Sequence, residues 1–493
     1  MTRFQFDRRQ VLWHAAAGAL LGGGAALAQE RPAAPGRRTV LEDMGGWLAA
    51  MRYEDLPQPT VRKAKYLLLD TLGCALGAVQ GEPVKAAREV IRSRGGKPQA
   101  TVIGTGFKTS CDEAAFLNAM QIRYLDFNDY AAFGYPHHPS INLAAALAVA
   151  EMRNLSGKDL LLGLVAGYEV HVKVRDASER RGFDMPSIEA QYASAACAAR
   201  LMGLDAKGIA NALAIAASNA NTLSEVRAGD ELTNAKGTAE ALAARSGTFA
   251  ALLGRAGMSY PLTIMDGEFS YGKLVSRGLK EDVLRGRSGD YQIMKSCMKM
   301  WPSIGTSQAP IAAALQLRER GVKAAAIRSL TLRLSQFGYD QQLGFLDHEI
   351  NTREHADHSA PYLVARALID GDVRIEDFEA RRYRDPTALA LVKKIRVVMD
   401  PALTTSGGDV LGCGLEATLD DGSVRKADVP HAPGSYQNPA TDQQIEHKFF
   451  DLAVGLLGKA GALKARDVIL SVDSGRDLKP LIAALTPAKR GAA

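Results

Sequence analysis

From about residue 40 to residue 260, apolar residues recur at spacings of three and four, and many of them are alanine. That period lays an apolar stripe along a helix, and the short alanine side chain lets neighbouring helices approach closely. Helices are predicted over 61–76, 114–125, 142–151, 159–174, 190–201, 206–216 and 239–253, with Gly157, Gly203 and Gly257 where helices should end or break. From about residue 295 the period changes. Residues 326–334 and 395–399 alternate or run β-branched, as strands do, and 415–419 and 424–429 flank Asp420-Asp421-Gly422, a hairpin signal. Helices over 358–370 and 386–394 lie between these strands, and 442–457 is strongly amphipathic. The fold class is therefore mainly α with an α+β part. After a linker at 29–38, a helical domain over 39–294 is followed by an α+β domain over 295–430; residues 431–485 return to the helical domain and 486–493 form a tail.

A chain of 493 residues is long enough for about two or three domains. Hydrophobic residues make up 47% and aromatic residues only 6%, as in a soluble protein of closely packed small-residue helices. The formal charge is +6, from 60 basic and 54 acidic residues without a long Lys/Arg block, so no nucleic-acid footprint is expected. A small anionic metabolite is the compatible partner. Cys74, Cys111, Cys197, Cys297 and Cys413 are scattered, odd in number and lack a CxxC, which argues against a zinc site or a disulfide framework. They read as core thiols.

Asp7-Arg8-Arg9-Gln10-Val11-Leu12 has the twin-arginine pattern, followed by an apolar run to Ala28 and a small-x-small site at Ala26-Leu27-Ala28. Residues 1–28 are expected to be a Tat export signal, with the Tat translocase as a transient partner and the periplasm as destination. A Tat substrate folds in a reducing compartment, which fits the absence of a disulfide pattern. If the arginine pair is coincidental, the same run becomes a tether. No later apolar run reaches the ~20 residues needed to span a bilayer.

The chemistry concentrates in residues 124–140, where Asp126, Asp129, His137, His138, Tyr124, Tyr130 and Tyr135 crowd between two helices. Asp, Asn and Pro in such a place also serve as caps and first-turn residues. Titratable groups at this density point instead to proton transfer. Asp126, Asp129, His137 and His138 offer metal-type ligands, but adjacent histidines point in different directions and no HxxxH or HExxH is present, so no metal is expected.

The run Tyr124-Leu125-Asp126-Phe127-Asn128-Asp129-Tyr130, then His138-Pro139-Ser140 and an alanine-rich helix ending at Glu151, resembles the signature of the MmgE/PrpD family of 2-methylcitrate dehydratases and cis-aconitate decarboxylases. Gly167-Tyr168-Glu169-Val170, Lys236 with Ala243-Ala244-Arg245-Ser246-Gly247, Gly267-Glu268-Phe269, Lys299-Met300-Trp301-Pro302 and Asp357-His358-Ser359 with Tyr362 follow in the family's order. The resemblance implies a helical domain built from both chain ends, an inserted α+β lid, a homodimer, a cleft active site and no cofactor. It implies catalytic roles for His138, Asp126, Lys236 and Tyr130, and substrate binding by Lys299, Asp184, His137 and Ser140. The expected reaction is removal of a proton beside a carboxylate with loss of water or carbon dioxide. His138 carries the proton, Asp126 orients it or shares its proton, the lysines stabilise an enolate-like charge, and Tyr130 donates to the leaving oxygen.

The sequence also departs from the family pattern. Asp184 stands where the family's second active-site histidine is expected, Ala239 stands where another follows Lys236, Gln308 or Ser307 replaces one after Lys299, and the loop before His138 is about two residues longer. An acid at 184 that pairs with a substrate nitrogen suggests an epimerase or isomerase of an amino or imino dicarboxylate. Loss of family histidines suggests, as a third possibility, a periplasmic ligand-binding protein without turnover.

Overall fold

The computed structural model describes residues 37–488 apart from 132–136, 180–181, 229–231, 288, 347–348, 380 and 404–410. The expected export signal at 1–28 lies outside the described residues. The chain divides into Met1–Arg38 and Thr39–Ala493, and the fold is that of the second unit. Helices of six residues or more are numbered.

Among the described residues of the first part, the helices of this length are α1 (Val40–Ala50), α2 (Gln58–Gly77), α3 (Glu82–Arg94), α4 (Cys111–Tyr124), α5 (Asn142–Arg153), α6 (Gly157–Ala177), α7 (Met185–Leu201), α8 (Ala206–Ala217) and α9 (Ala235–Arg255). The apolar stripes read from the sequence coincide with α2 and α4–α9, except that Leu125 lies one residue past α4, while α1 and α3 were not predicted. Gly203 and Gly257 adopt positive φ just beyond α7 and α9. Gly157 instead opens α6, where Ser156 and Asp159 cap each other reciprocally. Helix α9 packs on α7 and α4. A Cβ at Gly247 would sit inside van der Waals contact of the Gln191 carbonyl and 2.9 Å from the Ala195 nitrogen, so α9 approaches α7 this closely only because position 247 is glycine.

The first part is not entirely helical. Strands β1 (Ala100–Thr101) and β2 (Lys108–Thr109) pair, and β3 (Tyr130–Ala131) pairs antiparallel with β4 (Ser296–Cys297). These two-residue ladders are too short to leave a sequence signal. The β3–β4 pair fixes the register between the segment after Asp126 and the segment before Lys299.

The second part contains α10 (Gln308–Glu319), β5 (Ile327–Leu334), α11 (Gln336–Leu346), α12 (Ala360–Asp370), α13 (Pro386–Val392), β6 (Ile395–Met399), β7 (Cys413–Leu419) and β8 (Val424–Val429). Its sheet has the order β6-β5-β7-β8, parallel between β5 and β6 and antiparallel elsewhere. The predicted hairpin joins β7 to β8, with Gly422 at φ 82°. Two helices follow, α14 (Asp442–Leu470) and α15 (Lys479–Ala484). Helix α14 is broken by non-helical Gly458, and it packs on α2.

Buried apolar side chains form two main cores. One gathers residues from Val40 to Met298 together with Ile445 to Leu485; the other gathers Ala309 to Ala432. All five cysteines are buried free thiols. Among the described residues no helix is long and apolar enough to cross a membrane.

Candidate active site

Helix α4 ends at Tyr124, and Asp126 follows in the left-handed region at φ 48°. That conformation suits the residue just past a helix end, where glycine is usual and a β-carbon is strained. Aspartate is held there by its partners. Its carboxylate accepts from Arg123 at 3.0 Å and Lys299 Nζ at 2.9 Å, and Lys236 Nζ lies 3.2 Å away. Burial alone would raise this carboxyl; Lys236, Lys299 and Arg123 outweigh it and hold it well below the usual carboxylate range. Burial dominates at fully enclosed Lys299 and lowers its ammonium to about 8.

Two imidazoles flank this centre. Nδ1 of His138 lies 3.2 Å from Oε1 of Glu240, which leaves Nε2 for another partner. Burial, then nearby Arg123, lowers the His138 imidazole to about 3 and keeps it neutral. Glu240 projects from α9 one turn after Lys236, and it also binds Arg123 at 3.1 Å and Arg227. The second imidazole, His358, has its Nδ1 on Asp357, and its Nε2 is 3.2 Å from Lys236 Nζ. Burial and then Lys236 push its pKa down.

One further cation braces both walls. Lys448, from α14, donates to the carbonyl oxygens of Phe127 at 2.7 Å and Lys299 at 2.9 Å, pairs with buried Asp70 at 2.6 Å and lies over the Phe127 ring. Nothing in the sequence around position 448 signals this.

The sequence-derived candidates separate accordingly. Asp126, Lys236 and Lys299 form one cluster, with His138 joined to it through Glu240 and Arg123. The expected Asp126–His138 pair is replaced by His138–Glu240, because Asp126 is occupied by three cations. Tyr130 is buried, and its hydroxyl faces the Cys297 thiol across the β3–β4 pair. Ser140 is internal to the loop: its hydroxyl accepts from Asn128 at 2.9 Å and its N–H donates to Asp129 at 3.2 Å. Burial raises the Asp129 carboxyl to about 6. His137 turns away from His138 toward Glu189. Asp184 caps α7 through Ser187 and binds Arg227 at 2.6 Å, so its charge is already matched inside the protein. That pairing removes the reason for assigning it to a substrate nitrogen.

A cavity of about 20 Å³, room for a water, reaches the cluster at Arg123, Lys236 and Asp357. A groove of about 930 Å³ opens beside α12 and α13, but among the described residues its lining offers no carboxylate or imidazole.

The MmgE/PrpD N-terminal domain model matches residues 42–283, and the C-terminal domain model matches 301–474. The chain belongs to the MmgE/PrpD family. It is 25% identical over 478 residues to the cis-aconitate decarboxylase-like protein oryM of Aspergillus oryzae, covering 91% of this chain and 97% of that protein. It is 29% identical over 398 residues to the 2-methylcitrate dehydratase of Salmonella typhi, covering 76% and 81%. With the cis-aconitate decarboxylase of Mus musculus it shares 25% identity over 436 residues, covering 84% and 86%. Lyases are the enzyme class that these relatives share, and this MmgE/PrpD protein is an enzyme of that class.

Proposed function

We propose that this MmgE/PrpD enzyme acts on a small carboxylic acid, either removing its α-proton and expelling water or releasing carbon dioxide and protonating the carbanion left behind, using side-chain acid/base chemistry and no redox or group-transfer cofactor. The observation that carries this reading is the pairing of Lys236, Lys299 and Arg123 around Asp126, beside two imidazoles that each rest on a carboxylate. An α-proton beside a carboxylate is weakly acidic, and its removal creates an enolate-like dianion. Fixed, desolvated cations stabilise that charge where it develops. His138, steadied by Glu240, is assigned the proton-abstracting role through Nε2. His358, between Asp357 and Lys236, is assigned proton donation, to the leaving hydroxyl in a dehydration or to carbon once carbon dioxide has left, in place of Tyr130. Asp126 holds the lysines in position. Residues 295–430 are read as the lid over this cleft, the assembly as a homodimer and residues 1–28 as the Tat signal of a periplasmic enzyme.

The test is proton NMR of the enzyme in D2O with hydroxy acids, di- and tricarboxylates and their amino analogues, beside a His138→Ala control. New vinyl signals absent from the control are expected. Exchange of an α-proton without elimination would replace the lyase reading with an epimerase, and silence across the panel would refute catalysis on those acids.

A further inference from the structure

Beside the Asp126 cluster, His137 next to β3, His171 on α6 and Glu189 on α7 converge on one point, all buried. One ligand-type atom from each lies within 4.8 Å of the others. Nε2 of His171 is 3.4 Å from Oε2 of Glu189, Nδ1 of His137 meets the same oxygen, and the rings stand at 81°.

Glu189 and His171 lack the usual compensation for burial. Beyond the contacts within this group, and among the described residues, both carboxylate oxygens of Glu189 and both ring nitrogens of His171 are without a hydrogen-bond partner, although both residues are 0% exposed. No lysine or arginine of the described residues is ion-paired with Glu189; Arg175, which acts on it at longer range, binds Asp176 at 2.9 Å. A buried carboxylate and imidazole left so cost about 1–3 kcal/mol each or more, and such orphans call for a bound group. The Asp126–Asp357–His358 group is equally compact, but three cations already neutralise Asp126, so a metal ion would be repelled there.

We propose that His137, His171 and Glu189 bind one divalent transition-metal ion, with Zn2+ as the fitting occupant. Two imidazoles and a carboxylate suit zinc, whose tetrahedral ligands at about 2.0–2.1 Å stand about 3.3–3.4 Å apart. The His171–Glu189 separation has that value. Zinc takes a neutral imidazole and an ionised carboxylate, so His137 and Glu189 part to a coordination edge as the ion enters between them. The ion clamps the residue next to His138 to α6 and α7 and so fixes the loop that presents the base. It takes no part in the proposed proton steps, so the two readings stand or fall separately.

The test is zinc content by mass spectrometry after the purified enzyme is equilibrated with Zn2+ and desalted. About one zinc per chain is expected for wild type and His358→Ala, with loss of most of it in His171→Ala and Glu189→Gln. Glu189→Gln keeps the side-chain shape, and its circular dichroism verifies folding. A chelator should lower the melting temperature of wild type and leave that of Glu189→Gln unchanged. The proposal is overturned by wild type without zinc, by zinc retained in both His171→Ala and Glu189→Gln, or by zinc lost only in His358→Ala.

Discussion

Lys236→Met tests the central cluster most directly. The ammonium lies 3.2 Å from Asp126, 3.6 Å from Asp357 and 3.2 Å from Nε2 of His358. At an effective dielectric constant of about 20, each of the two attractions is worth about 5 kcal/mol before desolvation is subtracted. Removing one member of a buried pair typically costs 3–5 kcal/mol. Here Asp126 keeps Lys299 and Arg123, and Asp357 keeps Arg353 at 3.5 Å and His358, so about 3 kcal/mol is expected. The same substitution removes a repulsion of about 5 kcal/mol between the ammonium and a protonated His358. His358 should then titrate at higher pH in the variant, drawn by Asp357 and Asp126. Turnover should fall by roughly 100-fold or more through loss of the cation that binds the carboxylate and stabilises the developing charge. Nitrogen-15 NMR of the histidine side chains follows the titration without a substrate, and urea denaturation gives the stability. An unchanged His358 titration would refute the argument, because it would mean that Lys236 does not set the state of that imidazole.

Three further outcomes follow from the geometry. Glu240→Gln should lower turnover by at least about 100-fold, by releasing His138, and lower stability by about 3 kcal/mol because Arg123 keeps Asp126 and Arg227 keeps Asp184; rate assays and denaturation measure both, and full turnover would exclude the His138–Glu240 pair from the reaction. Lys299 is lowered from 10.5 to about 8 in the folded enzyme, so between those values the unfolded chain binds the extra proton. Its contribution to stability therefore rises with pH across that window while activity that needs its charge falls above about 8; parallel pH profiles in wild type and Lys299→Met check the opposite signs, and an unchanged profile in the variant would sink the assignment. Asp184→Ala removes a helix cap worth about 1 kcal/mol as well as the Arg227 pair; stability should drop without a change in which acids react, and a switch in substrate preference would restore Asp184 to the site.

Much of this was legible in the sequence, and the gaps have physical causes. Periodicity located α2 and α4–α9 because long amphipathic helices repeat the same signal several times. It missed α1 and α3, and it said nothing about β1–β4, where two-residue ladders are set by tertiary contacts. Asp126, Lys236 and Lys299 were recognisable from their motifs, and the structure places them together. The motif containing His358 was visible too, but nothing local said that its imidazole meets Lys236, 122 residues away. Arg123 and Glu240 are 117 residues apart on two different helices, α4 and α9. Pairing at that distance leaves no mark in the spacing.

Lys448 carries a consequence for how the enzyme comes into being. It lies 321 residues beyond Phe127 and 149 beyond Lys299, yet it grips the carbonyl of each. A chain leaving the ribosome folds its earlier segments first. A product cut short before α14 would retain α1–α9 and every cluster residue named above, without the ammonium that draws the two walls together. Completion of synthesis is thereby coupled to assembly of the centre, so a chain that stops before α14 is expected to be inert.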